Sequence, residues 1–321
     1  MLESTRVRLF ERSDLSQTGM KAQTPLVSIG LPVYNGENFV AEAIQCVLNQ
    51  TFSNWELVIC DNCSTDRTIA ICRQFADQDS RIRIYQNARN MGVSFNYNEV
   101  FRRASGTYFK WIAHDDLFAS RFIESCIQEF EKDQNVVLTC PKISYVDADG
   151  RLMRRQTSEL SVLGTTPEVR AKRLMEMAAQ NMDFIWLAYG LIRRDVLLQS
   201  GALGLYAGDD QVLLFKIVLR GCIKQTEEEM LFRREHAEAS TVRRGSTVRE
   251  RARFAYADDN RRLVLPWCRM LKEHLVCILH SPISFWSRLR CTSAVLRRFL
   301  AAWKFFVEEA IHSPLDAFRS K

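Results

Sequence analysis

The sequence predicts an α/β protein with a mostly parallel central sheet, helices on both of its faces, and a helical extension at the C-terminus. Three observations predict this. From Leu26 to Cys140, strand-like and helix-like segments alternate about every 25 residues, the rhythm of β-α-β units. The strand-like runs are continuously apolar rather than alternating, as in strands buried on both faces. From about Arg251 the chain keeps helical spacing to its end.

Each element has its own signal. Leu26–Val33 (LVSIGLPV) reads as a buried strand closed by the Tyr34-Asn35-Gly36 turn. Phe39, Val40, Ala43, Ile44 and Val47 then fall at helical spacing. Trp55–Cys60 is a second strand, and Ser64 or Thr65 stands where a helix cap is wanted. Ile82–Tyr85 is a third strand, followed after Asn90-Met91-Gly92 by a helix through Arg103. Thr107–Ile112 is a fourth strand, running into His114-Asp115-Asp116, and a helix from Ser120 to Lys132 leads to a strand at Val136–Cys140. Further on, Pro167–Ala179 reads as a helix and Asp183–Ile192 as a strand-like run. Gly208–Gly221 reads as a helix opened by Asp209 and Asp210, and Ile223–Phe232 as a return to the sheet. The expected division is a flexible segment over 1–22, an α/β domain over 23–245 and a basic amphipathic helical region over 246–321.

Composition narrows the function. The 321 residues are 47% hydrophobic and 26% charged, ordinary for a globular protein. A net charge of +6 suits anionic partners. No nucleic-acid motif accompanies it. Cys60 and Cys63 form one C-x-x-C pair, with no second pair at metal-binding spacing, so the ten cysteines are expected to be reduced thiols. The charged opening MLESTRVRLFERSDL does not read as a signal sequence. No run of about 18 apolar residues occurs to suggest a spanning helix. The expected location is cytoplasmic, at most peripheral to the inner face of the plasma membrane.

In open parallel sheets, ligands bind beyond the carboxyl ends of the strands. Pro32, Val33, Tyr34 and Asn35 follow the first strand, Asp61 the second, and Asp115-Asp116 the fourth. The turn lets backbone approach a nucleotide base, and Asp61 can accept from the imide N–H of a uracil. Paired carboxylates at a strand end suit a hard divalent cation on a diphosphate. Asp209 and Asp210, at the start of a later helix, suit a general base, because adjacent acids raise one another's pKa. Glu37 and Asp66 also read as helix N-terminal acids favoured by the macrodipole. Arg89 and Asn90 face either a bound nucleotide or solvent. Trp186 and Tyr189 are either core or a sugar-stacking platform.

Four motifs in order then carry a resemblance: P-V-Y-N-G-E with N-Q-T-F downstream; D-N-C-S-T-D-R-T; R-N-M-G with N-x-N, A-S-G-T-Y and H-D-D; and G-D-D with R-G and R-R-E-H. Over about Val27–Val242 the chain resembles family 2 glycosyltransferases of the GT-A fold. The resemblance implies inverting transfer of a sugar from a nucleotide-diphosphate donor, a UDP-sugar above all, to a hydroxyl acceptor in surface polysaccharide or glycoconjugate synthesis. It implies a divalent metal, Mg2+ or Mn2+. It places Pro32, Val33, Tyr34, Glu37, Asp61, Asp66, Arg89, Asn90 and Asp115 on the donor, with Asp115 toward the ribose. It puts Asp116 on the metal, with His236 reaching the metal or the diphosphate. Asp210 is then the base and Asp209 its partner at the acceptor, a saccharide or glycolipid. Arg243 and Arg244 are candidates to close over the phosphates. Ala113 and His114 depart from the pattern, since many relatives carry a further Asp there.

Two rivals remain. A sugar-phosphate nucleotidyltransferase wants a Gly-rich, basic loop after the first strand, which PVYNG lacks. A catalytically silent nucleotide-sugar-binding module would not need its acids intact. In the tail, no acidic residue lies between Glu273 and Glu308, whereas Arg288, Arg290, Arg297, Arg298 and Lys304 do. Trp286 and Trp303 stand among them. This suits an anionic membrane surface, or packing against the domain or a second subunit.

Overall fold

The computed structural model describes residues 24–180, 182–204, 206–237, 239 and 265–307. The expected N-terminal segment over 1–22, the candidates Arg243 and Arg244, and parts of the C-terminal region lie outside them.

The first half builds as its apolar runs require. Strands β1 (Val27–Val33), β2 (Trp55–Asp61), β3 (Ile82–Gln86) and β4 (Tyr108–Trp111) are parallel. Every residue of β1 and β2 is buried, as expected of strands covered on both faces. Helices α1 (Val40–Leu48), α2 (Thr68–Ala76) and α3 (Val93–Arg102) connect them. At the sheet's amino-terminal end, Ser28 Oγ accepts from the amides of Ser105 and Gly106 and donates to Glu56. The A-S-G-T-Y motif is therefore a fold element, at the opposite end of the strands from the site.

The second half extends the sheet on its other side. The full order is β3-β2-β1-β4-β8-β6-β9-β5, with β7 paired to β6. The added strands are β5 (Leu117–Phe118), β6 (Val136–Val146), β7 (Leu152–Arg155), β8 (Leu191–Arg193) and β9 (Cys222–Arg234). Strand β6 runs well past Cys140, because β9 pairs with it in parallel along its whole length. A register shift beside Pro141 absorbs the missing N–H donor. Between the strands lie α4 (Phe122–Lys132), α5 (Pro167–Gln180), α6 (Arg194–Ser200) and α7 (Asp209–Val218).

One element differs in kind from expectation. Met182–Tyr189 is a 3-10 helix, and only Leu191–Arg193 enters the sheet, antiparallel to β4 and β6. Phe184 through Ala188 are all buried. A run apolar on every side fits a buried helix as well as a strand, so periodicity could not separate the two.

The C-terminal region forms α8 (Pro266–His280) and α9 (Phe285–Ala301). Helix α9 lies on α5, and α8 on α7. The buried side of α9 carries Cys291, Ala294, Val295 and Phe299, so this region packs against the domain. Among the described residues, no helix is long and apolar enough to cross a membrane.

Candidate active site

The loops at the carboxyl ends of β1 to β4 are bound to one another in sequence. After β1, Asn35 takes a left-handed conformation with φ 49°. Its amide donates to Ser64 Oγ at 2.9 Å, and its side chain accepts from the Thr65 amide at 2.9 Å. Glu37 and Asp66 form a reciprocal clasp between the same loops: the Glu37 amide donates to Asp66 at 3.1 Å, and the Arg67 amide to Glu37 at 3.0 Å. Asp66 also accepts from the amide of Thr68, the first residue of α2, at 3.0 Å. Both acids thus join the two loops. Pro32 and Val33 are buried at the end of β1, and Tyr34 stands 41% exposed on the rim.

Asp61 ends β2 fully buried. Its carboxylate accepts from the Ser64 amide at 3.2 Å and from Gln86 Nε2 at 2.8 Å. Beside it, Asn62 is a hub that sequence reasoning did not single out. Its Nδ2 donates to Asn90 Oδ1 at 2.9 Å, and its Oδ1 accepts from the Met91 amide at 2.9 Å and from Asn87. This fixes the R-N-M-G loop after β3, with Arg89 exposed on it.

After β4, the adjacent acids point to different partners. Asp116 is 4% exposed. One of its oxygens meets Arg233 Nη1 at 2.7 Å, and the other accepts from the Arg234 amide at 3.0 Å. Asp115 Oδ2 lies 3.1 Å from His236 Nε2. The carboxylate beside His236 is therefore Asp115, which the resemblance assigned to the ribose. Asp116, which it assigned to the metal, is engaged by arginine and backbone. Burial acts to raise the Asp115 pKa, but the His236 hydrogen bond and the charges of His114 and Arg233 outweigh it and hold the carboxyl at about 2. Burial is also the largest influence on Asp116 and raises its pKa, against the pull of Arg233.

The two arginines at the end of β9 explain how this loop is held. Arg233 stacks on Trp186, 3.7 Å from the ring centroid, so buried Trp186 is a floor beneath the ion pair. Arg234 donates to the Asp115 carbonyl at 3.0 Å, pairs with Glu42 of α1 at 2.6 Å, and lies over Phe39. Sequence reasoning saw these arginines only as preceding His236. Their carboxylate partners, Asp116 and Glu42, are more than a hundred residues away along the chain. Gly36 closes the ring of loops. A Cβ there would stand 2.5 Å from His114 Cδ2, so glycine is what lets the β1 loop rest on the β4 loop.

Across the rim, α7 begins at Gly208, whose φ of 87° favours glycine. A Cβ at Gly208 would also collide with Met270 of α8. Asp209 and Asp210 occupy the first turn, both half-buried. Ser94, in the first turn of α3, donates to Asp209 Oδ2 at 3.0 Å. That bond joins the acid pair to α3, which follows the R-N-M-G loop. Tyr189 meets Tyr97 hydroxyl to hydroxyl at 3.0 Å, beneath the same rim. Among the described residues, no three Asp, Glu, His or Cys side chains converge as a complete metal cage. All ten cysteines are free thiols.

Comparison with known proteins agrees with this architecture. The family model described as "Glycosyl transferase family 2" matches residues 28–200, over half of the chain. The chain belongs to glycosyl transferase family 2. This transferase is 29% identical over 253 residues to EpsE of Bacillus subtilis, whose name describes a glycosyltransferase; the match spans 77% of this chain and 84% of EpsE. It is 28% identical over 144 residues to a chondroitin synthase of Escherichia coli, covering 45% of this chain and 21% of that protein. Among solved structures, TarS 1–349 of S. aureus in complex with UDP-GlcNAc shares the fold with a TM-score of 0.62 at 16% identity. That match covers 86% of this chain and 72% of the TarS chain. The transferase is thus a GT-A-like glycosyltransferase enzyme carrying a helical C-terminal part.

Proposed function

We propose that this transferase moves a sugar from a UDP-sugar to an acceptor hydroxyl with inversion at the anomeric carbon, in the assembly of a polysaccharide or glycoconjugate. The observation that carries the reading is the Ser94–Asp209 hydrogen bond. It sets the Asp209-Asp210 turn against loops whose other members are Asp61, Asn90 and, through Gly36 and His114, Asp115. The names of the relatives support a polysaccharide setting, and the TarS complex supports a UDP donor.

Inversion needs the attacking oxygen and the leaving diphosphate on opposite sides of the anomeric carbon. Asp210 takes the acceptor hydroxyl's proton as the oxygen–carbon bond forms. The bond to the diphosphate breaks, and UDP leaves with the electron pair. Asp209, held by Ser94, orients the pair. Pro32, Val33, Tyr34 and Asp61 receive the uridine, and the Asn62-braced loop presents Arg89 and Asn90 toward the phosphates. Asp115 Oδ2, 3.1 Å from His236 Nε2, would supply the carboxylate oxygen that a diphosphate-bound Mg2+ or Mn2+ takes from protein, and the neutral His236 imidazole would suit Mn2+ rather than Mg2+ as a second ligand. Such a cation would neutralise charge on the leaving group. On this reading Asp116 is the brace that fixes the Asp115 backbone through Arg233.

A nucleotide-sugar panel read by thermal shift, with and without Mn2+, identifies the donor. Proton NMR of the product then reads the new linkage. An α-linked donor giving a β-linked product supports the proposal. An α-linked product, or donor binding with no turnover against any acceptor extract, overturns it.

A further inference from the structure

Helix α9 has two apolar sides, and the fold uses only one. Cys291, Ala294, Val295 and Phe299 are buried toward the domain. On the opposite side, Phe285, Leu289, Leu296 and Leu300 recur at spacings of four, seven and four residues, and Trp303 continues the stripe in the next helical turn. Trp286, Leu300 and Trp303 are 68%, 70% and 64% exposed. An exposed apolar stripe of this kind marks an interaction surface. Beside it, Arg290, Arg297 and Lys304 repeat every seven residues, forming one row along the flank of the stripe. Arg290 reaches Glu168 of α5 at 3.2 Å, while Arg297 and Lys304 are exposed.

The charge pattern selects the occupant. From residue 274 to 307 the chain carries no acidic side chain. In a pair of copies joined through this stripe, cationic rows would meet with no acids on either helix to offset them, the opposite of what specifies helix pairing. A cationic row, a leucine-rich stripe and tryptophans at its edge are what an anionic lipid interface takes up. We propose that α9 lies in the plane of an anionic bilayer surface, its Phe285–Trp303 stripe among the acyl chains and Arg297 and Lys304 on the headgroup phosphates. Each basic residue at such a surface strengthens binding about fivefold.

Co-sedimentation of the full chain with phosphatidylcholine vesicles, with and without phosphatidylglycerol, tests this. The protein is expected to bind the anionic vesicles and not the neutral ones. R297E/K304E should weaken binding by at least about 25-fold, and L300Q/W303Q should weaken it comparably. These side chains are exposed, so unchanged circular dichroism and thermal midpoint will show that the variants fold. Absence of binding to anionic vesicles overturns the proposal. So does binding that R297E/K304E leaves intact, or a wild-type dimer in sedimentation that L300Q/W303Q converts to monomer.

Discussion

Lys110 lies in the middle of β4 with no exposed surface. Its ammonium donates to the Tyr189 carbonyl and sits 3.8 Å from the Phe122 ring centroid. No carboxylate among the described residues forms an ion pair with it. Burial lowers its pKa from 10.5 to about 8. At 1.36 kcal/mol per pH unit, the charged form costs the fold about 3 kcal/mol at neutral pH. The folded protein holds this proton less tightly than the unfolded chain does, so stability rises as pH climbs from about 8 to 10.5, where the cost disappears. Lys110→Met removes the buried charge but leaves the Tyr189 carbonyl without its donor, a loss of about 1 kcal/mol. The variant should therefore be more stable than wild type by about 2 kcal/mol at pH 7 and less stable by about 1 kcal/mol at about pH 11. Urea unfolding of both proteins at the two pH values reads the difference, in which all other titrations cancel. A variant less stable than wild type by the same amount at both pH values would refute the reasoning. Activity should fall even where stability rises, because Lys110 fastens the 3-10 helix that carries Trp186 beneath Arg233.

Three further outcomes are expected. Arg233→Met strands the Asp116 carboxylate in the interior and should cost about 3–5 kcal/mol in urea unfolding; adding Asp116→Leu should recover most of it, and an unaltered midpoint in the single variant would contradict the buried pair. Gly36→Ala drives a methyl to 2.5 Å from His114 and should cost about 1–3 kcal/mol of stability; a cost within 0.5 kcal/mol would mean that His114 moves aside freely. Asp115→Asn should abolish the gain in UDP affinity that Mn2+ gives while leaving metal-free affinity in place, as titration calorimetry would show; a retained Mn2+ increment would return the metal role to Asp116.

The parallel half of the fold was legible because its signals are local. The runs VSIGLPV and WELVICD are mostly apolar on both faces, and the polar residues at their ends, Asp61 among them, must sit at the strand ends. The strands β5 and β7 gave no such signal. Leu117–Phe118 is two residues long, and Leu152–Arg155 is exposed throughout; each is a strand only because β9 or β6 pairs with it. At the candidate site the acids stand out in the sequence one by one, but their partners do not. His114 and Asp115 form a turn and both carboxylates are buried, so the dipeptide Asp115-Asp116 could not say which of them enters the ion pair with arginine. The answer lies in Arg233, 117 residues further along, and no pattern local to either motif connects them. Asn62 is a similar case, since its role appears only once Asn87, Asn90 and Met91 are folded around it.

In the proposed mechanism Asp210 removes a proton in a transition state whose other face is the UDP site. Titrating UDP with Mn2+ into wild type and Asp210→Asn, and measuring turnover of the identified donor by both, tests that claim directly. Matching UDP affinities are expected, with turnover reduced by about 10²–10⁴-fold in the variant. Loss of UDP affinity, or turnover within a few-fold of wild type, would contradict it.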